Sequence, residues 1–129
     1  MQMSTEQQQR VQSYQDLEVW QVGMDLVAQI YRISAELPSE ERFGLVAQVR
    51  RAAVSVPANV AEGYGRQSTR DFVRFLRMAQ GSLKEAETHL LVAVRLEMLN
   101  AEQTDSALRL SDRLGRMIRG LIRSLEDRP

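Results

Sequence analysis

Cysteine is absent from the 129 residues and histidine occurs once. The first absence excludes disulfides, thiolate metal sites and cysteine nucleophiles, and with them any sign of an oxidising compartment. The second excludes a histidine-rich metal or acid–base centre. Aromatic residues make up only 5% of the chain, which leaves few rings to stack on unpaired bases. No run of about 18 apolar residues occurs, and the polar opening MQMSTEQQQR has no apolar core of a signal peptide. The sequence therefore predicts neither a membrane span nor secretion, and the cytoplasm is the expected location. Lysine is nearly missing too, since every basic residue but Lys84 is arginine, the side chain suited to bidentate pairing with carboxylate or phosphate.

Net charge is the last thing lacking. The formal value is +0, which excludes a uniformly basic nucleic-acid binder, yet the zero is a sum of unlike segments. Residues 1–41 hold two basic against seven acidic residues, and 42–84 hold eight against two. Residues 85–105 hold one against five, and 106–129 hold six against three. Basic charge is thus gathered into two segments of a chain whose length suits one domain with its own core.

What is present is helical periodicity. Leu17, Trp20, Met24, Val27 and Tyr31 form one stripe, and Val19, Val22, Leu26, Ile30, Ile33 and Leu37 a second beside it. Leu37-Pro38 ends this segment, and Ser39-Glu40-Glu41 gives the acidic first turn of a second helix. Its stripe of Leu45, Val49, Ala52, Ala53, Val56 and Val60 runs to Gly63 and Gly65. Ser68 and Asp71 read as a capping box opening a third helix, and Asn100 with Gln103 as the cap of a fourth. The expected helices cover about 16–37, 40–62, 69–99 and 101–126. They follow a flexible segment at 1–15 and precede a frayed tail at 127–129. Short connections between long amphipathic helices predict an all-α, antiparallel up-down-up-down four-helix bundle over 16–126.

The stretch VPANVAEGYGR, Val56 to Arg66, interrupts this regularity. Pro57 removes an intrahelical bond and predicts a kink in the second helix. Asn59 and Glu62 are placed to satisfy backbone groups there or to reach a facing helix, and Gly63, Tyr64 and Gly65 to make the turn. A lone Gly-x-Gly with no strand before it does not predict a nucleotide site.

This stretch belongs to a longer one, VSVPANVAEGYGRQSTRDFVRFLRMAQGSLKEAETHL, preceded by LEVWQVGMDLVAQIY and ERFGLVAQVRRAA. Together they resemble the four-helix-bundle family of 23S rRNA intervening-sequence proteins, also described as ribosomal-protein-like, over Leu17 to about Leu99. The family's usual I-P-S-N-I-A-E-G-Y-G-R has Val56, Ala58 and Val60 here, so any role of a serine hydroxyl at position 58 is lost. The resemblance implies a ring assembly, typically a homopentamer. It also implies kinship with the bundle-shaped accessory proteins of diversity-generating retroelements, which bind nucleic acid and a reverse transcriptase.

The residues themselves bear on RNA through their arginines. Arg66, Arg70, Arg74 and Arg77 recur at spacings of four, four and three, and Arg109, Arg113, Arg116, Arg119 and Arg123 step likewise along the last helix. Such rows suit a phosphate backbone, and a ring would multiply them. They equally suit a solvated face, or pairing with acidic surfaces within the chain or across a subunit contact. Val19, Val22, Leu26 and Ile33 are expected at an oligomer interface, because a single core needs only one arc of the first helix. Trp20 and Tyr31 are expected as core anchors and His89 as a core-edge residue. No Glu-x-x-His pair or paired acid and base can be nominated. No catalytic, cofactor or metal site is therefore expected. The expected function is a non-enzymatic, ring-forming bundle that binds structured RNA or nucleic-acid phosphates through arginine. The alternative is a scaffold that docks a protein partner, with the arginines pairing acidic surfaces.

Overall fold

The structure, a computed structural model, describes residues 11–127. Four helices make an all-α bundle: α1 (Glu18–Ser34), α2 (Leu45–Tyr64), α3 (Thr69–Arg95) and α4 (Ala101–Glu126), with no strand among the described residues. Contacts along each neighbouring pair give the direction. Gly23 faces Pro57 and Ser34 bonds Arg50 between α1 and α2. Gly63 meets Phe75 and Ser55 meets Ser82 between α2 and α3. Leu83 meets Gly115, Glu87 meets Ser111 and Arg77 meets Glu126 between α3 and α4. In each pair one residue number rises as the other falls, so neighbours are antiparallel and the order is up-down-up-down.

The helix ends differ from the expected ones for local reasons. Residues 11–15 are not a loose leader: Ser13 and Asp16 form a reciprocal capping box around a 3-10 turn at Tyr14–Asp16, and Val11 and Tyr14 rest on the core. Residues 1–10 and 128–129 of the expected flexible ends lie outside the described residues, and Asp127 caps α4. At the other end of α1, the helix stops at Ser34 and Leu37 turns into a small cluster with Ala93 and Leu99. Residues Ser39–Glu41 form a separate 3-10 turn. The α2 helix waits until Leu45, whose N–H is accepted by Glu41 Oε1 at 3.2 Å. The third helix ends at Arg95 rather than Leu99 because Glu97 adopts a left-handed backbone, φ 61. The Met98 N–H then reaches back to the Ala93 carbonyl at 2.9 Å, and the Glu97 N–H to that of Val94 at 3.0 Å, the double bond of a Schellman end.

The core runs the length of the bundle. Leu26, Ile30, Val49, Val56, Leu76, Leu83, Leu114 and Ile118 are each no more than 1% exposed. On α1 this corrects an expectation. Val19, Val22 and Leu26, assigned to an oligomer interface, are 5%, 7% and 1% exposed within the single chain, and Ile33 is partly buried against the same core. The second stripe is therefore the core stripe. The first splits: Leu17 is buried, Trp20 and Val27 are partly covered, and Met24 and Tyr31 are exposed at 43% and 42%. Tyr31 is thus not a core anchor; the Arg50 guanidinium stacks over its ring at 4.4 Å.

Every buried side-chain nitrogen and oxygen among the described residues has a hydrogen-bond partner. Ser34 Oγ accepts from Arg50 Nε at 2.8 Å, and Arg50 Nη2 donates to the Tyr31 carbonyl at 3.2 Å. Arg50 thereby caps the C-terminus of α1, where positive charge is favoured. Ser111 Oγ donates to Glu87 Oε2 at 2.7 Å, which anchors a half-buried carboxylate in the α3–α4 seam.

The corner from Val56 to Arg66 is assembled residue by residue. Pro57 is buried and α2 continues through it to Tyr64; its ring sits on Gly23, 3.4 Å from where a Cβ would stand. Asn59 does not restore the bond that proline denies to the Ala53 carbonyl. Its Nδ2 donates to the Ser55 carbonyl at 2.8 Å and to the Ser55 hydroxyl at 3.0 Å, and that hydroxyl pairs with Ser82 of α3 at 2.8 Å. Asn59 thus links the helices through Ser55. Glu62 satisfies no buried group: it is exposed and paired with Arg66 at 2.8 Å. Tyr64 stands edge-on to Phe72, centroids 6.0 Å apart. No described glycine has a positive φ, so the two glycines are not needed to turn the chain. Gly63 is needed for approach, because a Cβ there would lie 2.6 Å from Phe75 Cβ and 3.0 Å from Phe72 Cδ1.

Candidate nucleic-acid interface

Burial decides where the arginines go. Helix α3 turns Phe75, Leu76, Ala79, Leu83, Ala86 and Leu90 inward, which leaves Arg70, Arg74 and Arg77 on its outer face, all exposed. Helix α4 buries Leu114, Ile118, Ile122 and Leu125, and Arg109, Arg113, Arg116, Arg119 and Arg123 are exposed. Both helices begin with side-chain caps. Asn100 and Gln103 make a full capping box, whereas Ser68 Oγ accepts from the Asp71 N–H at 3.1 Å while the Asp71 carboxylate turns to Arg74 at 3.7 Å.

The rows are less uniform than their spacing suggests. Arg109 pairs with Asp105 at 2.9 Å and Arg116 with Asp112, each one turn earlier on α4. Arg113 leans the other way, 3.9 Å from Glu18 of α1. Arg66 and Arg74 are drawn to the corner, their guanidiniums 4.8 Å and 4.7 Å from the Phe75 ring centre. Arg77 crosses to Glu126 of α4 at 2.9 Å. Arg70, Arg119 and Arg123 make no ion pair among the described residues.

The two rows meet in one place. Arg77 from α3 and Arg119 and Arg123 from α4 line a cleft of about 230 Å³ together with Gln80, Ile122 and Glu126. Gln80 and Glu126 escaped the sequence reading because neither stands in a row, and only the α3–α4 register brings them there. A larger recess of about 340 Å³ opens at the corner end of the bundle, floored by Leu17, Tyr64, Phe72, Leu121 and Leu125. Its size does not make it the better site for an anion: only one arginine, Arg66, reaches it, and that side chain already holds Glu62.

Elsewhere the surface carries exposed apolar side chains that the sequence reading placed differently or passed over. Val54 of α2 is 42% exposed, and Phe43, before α2, is 83% exposed. Met78 and Leu96 stand out from α3 and from the turn after it. His89 is half-buried at the edge of α3, 3.5 Å from Glu85. Among the described residues no group of three or more His, Cys, Asp or Glu side chains could hold a metal, and no helix is long and apolar enough to cross a membrane.

Comparison with known proteins agrees with this architecture. The family described as 23S rRNA-intervening sequence protein matches residues 15–120. Among solved structures, the chain is similar to a Bacteroides thetaiotaomicron protein of unknown function from the S23 ribosomal protein family. The TM-score is 0.74 at 26% identity, over 81% of this chain and 97% of that one. Neither description is that of an enzyme. No curated protein matches the chain.

Proposed function

From the premise that the chain belongs to the 23S rRNA-intervening sequence protein family, we propose that it is a non-enzymatic, self-assembling bundle that binds structured RNA through phosphate contacts of the α3 and α4 arginines. One observation carries the reading: the arginines stand outward on two adjacent helices and their carboxylate partners are solvent-exposed. The Asp105–Arg109 pair, for example, has side chains 57% and 80% exposed, and such a pair is worth about 0.2–1 kcal/mol. A phosphate oxygen replaces a carboxylate of that kind at little cost. The scarcity of exposed rings favours phosphate and shape over base reading. Assembly as a ring, typically pentameric in the family, would bring several copies of the face to one RNA and raise avidity without new contacts.

A titration of double-stranded RNA across a salt series tests this. The wild type is compared with Arg109→Glu/Arg113→Glu/Arg116→Glu after native mass spectrometry of both. Binding that weakens steeply with salt and is lost in the variant supports the proposal. Absence of binding at low salt, or indifference to the three changes, overturns it. A monomer at micromolar concentration removes the ring.

A second reading, a scaffold for a protein partner, has its own support in the exposed Met24, Tyr31, Val54, Met78 and Leu96. On that reading RNA does not bind, and the acidic face of a protein takes up the arginines.

A further inference from the structure

We propose that the α3–α4 cleft is a phosphate clamp: Arg77, Arg119 and Arg123, with the Gln80 amide, hold one phosphodiester group of the RNA, and Glu126 is the resident anion that the phosphate displaces from Arg77. This rests on the RNA reading and gives it a place. The local charge is the first ground. Three arginines line the cleft with a single acidic residue, whereas Arg109 and Arg116 are each balanced by an aspartate one turn earlier. An unbalanced cluster of arginines in a concave site is an anion site by its field alone.

The second ground is how Arg119 is held. Gly115 has no side chain, and Arg119 Nη1 lies 3.7 Å from where its Cβ would stand, beside Leu83 Cδ2 of α3 at 3.5 Å from the same point. The side chain, though exposed, therefore folds back along α4 toward the seam between the helices. The third ground is the lining. Ile122 is 5% exposed, which supplies an apolar wall that strengthens charge-assisted hydrogen bonds, and Gln80 offers N–H donors without adding charge. The Arg77–Glu126 pair that bridges the cleft has side chains 56% and 49% exposed, so it is a weak latch. Glu126 relieves repulsion among the arginines when the cleft is empty and gives way to a stronger acceptor.

Anisotropy of a labelled double-stranded RNA hairpin across a salt series tests the clamp, with Arg119→Ala/Arg123→Ala set against Arg109→Ala/Arg116→Ala. The cleft pair should weaken binding about ten-fold and lower the salt slope by about one, well beyond the effect of the control pair. Glu126→Gln should tighten binding several-fold, more than the charge-matched Asp105→Asn. Equal effects within both comparisons mean that only total charge matters and overturn the clamp while leaving the RNA reading standing. If the wild type binds no RNA at low salt, the RNA reading fails by itself, and inorganic pyrophosphate then judges the cleft. Saturable shifts of the Arg77, Arg119 and Arg123 Nε–Hε resonances, with the Arg77 shift abolished in Arg119→Ala/Arg123→Ala, support the clamp. Their absence overturns it as well. Unchanged melting of the exposed-site variants shows that folding is not the cause.

Discussion

Replacing Gly63 by alanine adds one methyl group at the tightest contact between α2 and α3. The new Cβ would lie 2.6 Å from Phe75 Cβ, 3.0 Å from Phe72 Cδ1 and 3.3 Å from the Phe72 carbonyl oxygen, where carbon atoms prefer about 3.5–4.0 Å. Phe72 Cδ1 can swing aside, but Phe75 Cβ is fixed to the backbone of α3, so the helices must part by roughly 1 Å to restore contact distance. Overpacking of this kind costs about 1–3 kcal/mol, sometimes more. Alanine returns about 1 kcal/mol of helix propensity, so the outcome is the difference of the two, a loss of about 0–2 kcal/mol, toward the upper end because Phe75 Cβ cannot move without its helix. At about 4 °C per kcal/mol for a chain of this size, Gly63→Ala should melt up to about 8 °C below the wild type. Two glycines serve as internal controls. Gly81 has nothing within 4 Å of its would-be Cβ and Gly65 nothing closer than 3.6 Å, with φ −75, so alanine at either should leave Tm unchanged or raise it. Thermal melting of the three variants side by side decides the matter. A Gly63→Ala protein as stable as Gly81→Ala would refute the argument that close approach explains this glycine.

Three further outcomes follow from single contacts. Glu97→Gly relieves a non-glycine residue held at φ 61 and should raise stability in chemical denaturation by about 0.5–1 kcal/mol; a loss would mean that the Glu97 side chain stabilises the turn. Asn59→Ala removes the bonds to Ser55 and should cost about 1 kcal/mol. Its coupling to Ser82→Ala in a double-mutant cycle should be non-zero if the Ser55 hydroxyl relays it to α3, and strict additivity would break that link. Ser111→Ala strips a 2.7 Å donor from Glu87, whose side chain is only 17% exposed. A loss of about 1.5 kcal/mol is expected, against none if Lys84 alone satisfies the carboxylate.

The caps of α3 and α4 were legible because capping is local: Ser68 and Asn100 stand three residues before the N–H they accept. The bundle itself was legible from the stripes of α2, α3 and α4, each with one apolar face. Helix α1 was not, because both of its stripes are apolar. Nothing in its own spacing tells that Val22 and Leu26 face inward while Met24 and Tyr31 face out; the seating of Gly23 on Pro57 decides it, and that is a contact between distant residues. The VPANVAEGYGR corner was recognisable as a corner, yet the reason for Gly63 lies in how closely α3 passes, and the true partner of Asn59 lies across Ser55. Likewise the arginine rows were visible as rows, but their division into balanced pairs and one unbalanced cleft depends on the α3–α4 register. The early stop of α3 at Arg95 was hidden because a glutamate occupies the left-handed position where glycine is usual.

The outer face of α3 and α4 is proposed to meet RNA phosphates. The most direct measurement is a residue-by-residue map of arginine and amide resonances during titration with a double-stranded RNA hairpin at low salt. RNA binding at this face predicts saturable changes at Arg70, Arg77, Arg116, Arg119 and Arg123 that retreat as salt is raised. Changes centred on Met24, Tyr31 and Val54, or none at any RNA concentration, would contradict it.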